Sequence, residues 1–171
     1  REQVAHVPFV NDTVRVFVID LPQMTVSVTT EQMIRWGVTA EELDEISRDN
    51  LARYNAEIAI QFVESKEGGR AAIISEQDGY DASRLCLSTL YNTLASKLGC
   101  GRQNPGFLVA TPARDMFIAM SAGPEPFVAR LRGRVEYDYL RLPYPITSQL
   151  FLVTRDGVAG TEGPDISSSV A

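Results

Sequence analysis

The stretch Asp81-Ala82-Ser83-Arg84-Leu85-Cys86-Leu87-Ser88-Thr89-Leu90-Tyr91-Asn92-Thr93-Leu94-Ala95-Ser96-Lys97-Leu98-Gly99 decides the fold. Leu87, Leu90, Tyr91, Leu94 and Leu98 recur at helical period and build one apolar face. Asp81 stands where an N-cap carboxylate accepts first-turn amides, and Gly99 stands at a left-handed stop. The spacing therefore predicts a helix from Asp81 to Leu98. Apolar, strand-like runs lie on both sides of it in sequence, so it is expected to lie across a sheet.

Those runs are read next. Phe107 to Thr111 and Met116 to Ser121 lack polar alternation, which predicts strands covered on both faces around the turn Pro112-Ala113-Arg114-Asp115. Glu57 to Val63 and Arg70 to Ser75 predict a hairpin closed by a polar, glycine-containing loop. Glu125 to Tyr137 reads as an amphipathic helix with Val128, Leu131 and Val135 inward. Gln149 to Thr154 reads as a last strand. Tyr137, Tyr139 and Tyr144, with Pro143 and Pro145, form an aromatic patch that either covers a sheet edge or receives a partner.

Towards the amino terminus, Thr13 to Asp20 and Met24 to Thr29 predict a second hairpin. Thr30 caps a short helix, Glu31 to Trp36, closed by Gly37, and Trp36 is expected to pack on the core. Thr39 and Glu42 make a capping box for a longer helix with Leu43, Ile46, Asn50, Leu51 and Tyr54 on its inner face. Its acidic run Glu41, Glu42, Asp44 and Glu45 suits the helix N-terminus and reads as a solvated face.

The expectation is an α+β fold, one domain over residues 13–155, with a mainly antiparallel sheet packed against three or four helices. The covering helices are placed at 40–54, 81–98 and 125–138. Residues 1–12 read as an irregular lead-in and 156–171 as a flexible tail. A chain of 171 residues suits one domain with a good core.

Composition narrows the partners. A net charge of -6 argues against nucleic acid, which needs clustered Lys and Arg to meet phosphate. No run approaches the roughly 20 apolar residues that span a bilayer, and the first residues lack a signal-peptide pattern. In the expected helix, Cys86 and Leu98 stand ~18 Å apart, and two more residues recover only about 7 Å. Cys86 and Cys100 are therefore expected as two thiols, in a reducing cytoplasmic setting.

The chemistry is sparse. His6, the one histidine, lies in an unpatterned terminus, so histidine triads and the common zinc sites find no constellation here. No phosphate loop or CxxC spacing occurs, and no catalytic set, metal site or cofactor is expected. What remains is polar material at turns: Asp78, Tyr80 and Asp81 before the central helix, and Arg114 and Asp115 between two apolar strands. Arg114 is expected to bridge to Asp81 or Asp78. That set serves either as a cap and turn salt bridge, or as a small site for binding or acid–base work.

Several stretches together resemble the YtpQ-like family, a bacterial domain family of unknown function. They are Glu31-Gln32-Met33-Ile34-Arg35-Trp36-Gly37-Val38-Thr39, Asp49-Asn50-Leu51, Asp78-Gly79-Tyr80-Asp81-Ala82-Ser83 and Thr111-Pro112-Ala113-Arg114-Asp115. The resemblance implies a fold and a cytosolic setting, and carries no reaction. The order of helices and paired strands is also similar to that of the small acidic chaperones of type III secretion. That layout implies a dimeric adaptor for another protein. The expected function is thus a non-enzymatic binding protein, acting on a protein partner or as a homodimer. The alternative is a small-ligand or hydrolytic enzyme using Asp78, Asp81, Arg114 and Asp115.

Overall fold

The structure, a computed structural model, describes residues 3–54 and 57–161. The chain forms two compact units, Arg1–Glu57 and Ile58–Ala171. The architecture is α+β, and every paired strand in it is antiparallel.

The first unit opens on β1 (His6–Pro8), which pairs with β2 (Val14–Val16), so part of the expected lead-in is strand. The β-branched run then breaks at Phe17, which turns inward beside Ala5, Val7 and Val28. β3 (Val18–Leu21) continues into a hairpin with β4 (Met24–Ser27) across Pro22-Gln23. α1 (Thr30–Trp36) begins one residue later than its cap: Thr29, not Thr30, completes a capping box with Gln32. Gly37 ends it at φ 69°, the left-handed conformation that glycine, having no Cβ, adopts without penalty. Trp36 is 49% exposed rather than packed on the core.

α2 (Ala40–Tyr54) has the expected box, with Thr39 and Glu42 each accepting the other's backbone amide. Its acidic run is not wholly solvated. Asp44 is buried, its oxygens held by Arg15 at 2.8 Å and 3.0 Å and by Arg48 at 3.1 Å. Ile46 and Tyr54, expected inward, are exposed.

The second unit is a six-stranded sheet in the order β10-β9-β7-β8-β6-β5. Its strands are β5 (Ile60–Glu64), β6 (Arg70–Ile74), β7 (Gly106–Ala110), β8 (Phe117–Ser121), β9 (Leu150–Thr154) and β10 (Gly157–Gly160). The apolar hairpin β7–β8 is central, as its lack of alternation requires. β10 lies inside the expected tail, of which 162–171 fall outside the described residues. Register sorts the side chains: Ala71, Leu108, Ala110, Ile118, Met120 and Leu150 meet α4 (Glu125–Tyr139) through Phe127, Val128, Leu131 and Val135.

The opposite face carries Ala72, Ile74, Phe107, Val109, Phe117, Ala119, Phe151 and Val153, all buried. Tyr91 stacks on Phe107 with ring centroids 6.1 Å apart, which places the 82–98 segment over this face. That segment is not one helix. It is a 3-10 helix at Ala82–Cys86, an extended break at Leu87, and the short α3 at Leu90–Leu94. The buried leucines are 85, 90, 94 and 98. The expected face holds from Leu90 onward, while Leu85 replaces Leu87 because the tighter winding shifts the register.

Candidate functional site

The loop that leaves β6 is closed by a carboxylate. Asp81 accepts backbone hydrogen bonds from Glu76 at 3.1 Å and Gln77 at 2.9 Å. It does not cap the helix: its own backbone is helical, and its side chain makes no cap bond. The carboxylate points back into the loop because Arg84, one 3-10 turn later, places its guanidinium there at 2.7 Å.

Arg84 is the residue that the sequence reading passed over. Its side chain is 1% exposed, and it holds Asp78 with both terminal nitrogens as well as Asp81. The expected bridges from Arg114 to these carboxylates are therefore absent, and Arg84 makes both. A signal was present: Asp81 and Arg84 stand three apart, the spacing of a helical ion pair. Burial on its own would raise the Asp78 pKa. Hydrogen bonds from Arg84 and the Tyr80 amide, with the Arg84 charge, outweigh it and hold the carboxyl below its ordinary value. For Arg84, burial favours the neutral form, but the facing carboxylates hold its pKa above the ordinary one.

The turn between β7 and β8 joins the same loop. Asp115 accepts from the Gly79 amide at 2.9 Å, and the Ala82 amide donates to the Arg114 carbonyl at 3.0 Å. Gly79 sits at φ 86°, which only a residue without a Cβ adopts cheaply. The Arg114 guanidinium donates twice to Asp115, at 3.2 Å and 3.0 Å, and lies 4.0 Å over the Tyr144 ring. That ring is fixed from behind, since the Arg114 amide donates to the Tyr144 carbonyl and the Ile146 amide to the Pro112 carbonyl.

All five expected residues thus fall in one cluster of the second unit. Tyr80 belongs through its backbone, donating to Asp78 and accepting from the Arg84 amide. The cluster's chemistry is inward. Each carboxylate already accepts from an arginine and a backbone amide, which fixes two loops and occupies its oxygens within the fold.

Cys86 and Cys100 carry no disulfide, and burial pushes the Cys100 thiol up, away from the reactive thiolate. Among the described residues, no group of three His, Cys, Asp or Glu side chains could hold a metal ion, and no helix is long and apolar enough to cross a membrane. No family model, curated protein or solved structure matches the chain.

Proposed function

We propose that this chain is a non-enzymatic binding or adaptor protein of the bacterial cytoplasm that holds another protein, chaperone-like, or a second copy of itself. The β3–β4 hairpin carries the reading. Its register sets Ile19 opposite Val26 and Leu21 opposite Met24, so all four share one side of a two-stranded ribbon. Leu21 is 48% and Met24 60% exposed. The other side carries Asp20, Thr25 and Ser27 beside Val18, with Thr25 donating to Asp20 at 2.7 Å. A two-stranded ribbon with one apolar face gains most from a surface laid against that face.

The competing enzymatic reading asks Asp78, Asp81, Arg114 and Asp115 to act while their polar atoms hold each other and the backbone. The adaptor reading asks nothing of them beyond shape. The resemblance to the YtpQ-like family belongs to the same proposal, since it implies no reaction. Capture on the full chain from native cells, with mass spectrometry, tests it. A stoichiometric protein retained by the wild type and lost by the double variant Leu21→Ser/Met24→Ser is the expected result. A copurifying metabolite or metal with no protein partner overturns it.

A further inference from the structure

β5 is a terminal strand of the six-stranded sheet, bonded to β6 on one side only. From Gln61 to Glu64 every residue is exposed, Phe62 and Val63 among them. Alternation assigns the strand's backbone groups. The Ser65 amide donates to the Gly69 carbonyl at 2.7 Å, on the β6 side. The Arg70 amide, across from Glu64, turns the other way and donates to Ser121 Oγ at 3.1 Å. Antiparallel pairs alternate, so Gln61 and Val63 bond to β6 while Ile60, Phe62 and Glu64 aim their amides and carbonyls outward. Those outward groups have no partner among the described residues.

Edges of this kind are ordinarily blunted by lysine, proline or a bulge. β5 contains no Lys and no Pro, and its register with β6 runs one-to-one from Ile60 to Glu64. Such a row of groups is met by an extended strand. The side chains choose which strand. Antiparallel pairing with a second β5, centred on Phe62, sets Phe62 opposite Phe62 and Ile60 opposite Glu64, and engages every outward group. Moving the centre by one residue leaves Ile60 or Glu64 without a strand partner, and centring on Glu64 sets like charges opposite. The Phe62-centred register also brings Val63 of each copy diagonally across from the other.

Lys97 supplies the charge complementarity. Its Nζ stands 5.9 Å from the Phe62 ring centroid, on the face that Phe62 and Glu64 share, and it makes no ion pair among the described residues. The copy's Glu64 arrives diagonal to Phe62 on that same face, so each copy carries an acid towards the other's Lys97. Within one chain Glu64 has only the exposed 3.5 Å contact with Arg70, which holds it weakly.

We propose that two copies of this chain pair β5 with β5, antiparallel about a two-fold axis at Phe62, so that their six-stranded sheets join into one. The pairing is isologous and closes at two copies. It goes beyond the hairpin reading, uses the other unit, and stands or falls apart from it.

The test is sedimentation equilibrium of the full chain up to about 1 mM, the weak end of specific association. A monomer–dimer equilibrium is expected. Phe62→Lys, which sets like charges opposite each other on the axis, is expected to raise the dimer Kd by about tenfold or more. Lys97→Glu and Glu64→Lys are each expected to weaken the dimer, and the double variant to regain it, a rescue that no folding defect produces. Leu21→Ser/Met24→Ser is expected to dimerise as the wild type does. A monomer at every concentration overturns the inference. So do oligomers that grow beyond two copies, a dimer undiminished in Phe62→Lys, and a double charge reversal no better than its singles. A dimer lost in the hairpin variant but kept in Phe62→Lys sinks this inference alone. Hairpin-dependent capture that fails while the Phe62-dependent dimer stands sinks the hairpin reading alone.

Discussion

The Asp81 carboxylate and the Arg84 guanidinium meet at 2.7 Å, with the two side chains 0% and 1% exposed. Charges taken this far from water need partners, and Arg84 has a second one in Asp78, while Asp81 has Arg84 as its one ion-pair partner among the described residues. Arg84→Gln strands the buried Asp81 carboxylate and is expected to cost about 3–5 kcal/mol, the range for breaking a buried pair, whereas Asp81→Asn keeps the shape, leaves Arg84 its Asp78 and is expected to cost less. Urea unfolding of Asp81→Asn, Arg84→Gln and the double variant measures it. The double variant should cost clearly less than the two single losses added together.

Asp78 makes the same loop sensitive to acid. Its carboxyl is held below its ordinary value in the fold by Arg84 and the Tyr80 amide, against burial, and returns to about 3.9 when the chain unfolds. The stability it contributes is complete above that unfolded value and is lost as pH falls through the lower, folded value. Unfolding midpoints are therefore expected to drop more steeply below about pH 4 in the wild type than in Asp78→Asn. Parallel curves for the two proteins would remove this carboxylate from the account.

Gly69 lies under the Phe127 ring, and an added Cβ would overlap the ring carbons. Gly69→Ala is expected to cost about 1–3 kcal/mol, the usual penalty of overpacking. In a Phe127→Leu background the same substitution should cost less. Thermal unfolding of the four proteins shows whether the glycine is there for the ring.

In the first unit, the Thr39–Glu42 box satisfies two amides at the start of α2. Thr39→Ala is expected to lower stability by about 1 kcal/mol. Hydrogen exchange should show the loss as faster exchange in the first turn of α2.

Legibility followed the range of the physics. Hairpins, the two capped helices and the two-faced central strands were readable because periodicity, turn residues and caps act within a few residues. The 82–98 segment was misread as one helix because its leucines keep helical spacing across a break that winding alone decides. Arg84 looked like an ordinary polar residue inside that helix. Its role depends on a loop that folds back from residue 76, and no local pattern shows such a return. Trp36 and Asp44 were assigned by residue type alone, and each went the other way: Trp36 stands half exposed at the end of α1, and Asp44 is drawn inward by Arg15. The β1 strand was missed because three residues carry too little pattern. The five candidate site residues were found together, while their arrangement was not.

The central claim is that the apolar side of the β3–β4 hairpin meets another protein, and site-specific photo-crosslinking in living cells tests it most directly. A photoreactive side chain at Met24 is expected to capture one discrete protein in high yield, with little of it captured from the same group at Lys66, exposed in the loop between β5 and β6. Equal, diffuse labelling from both positions would contradict the account.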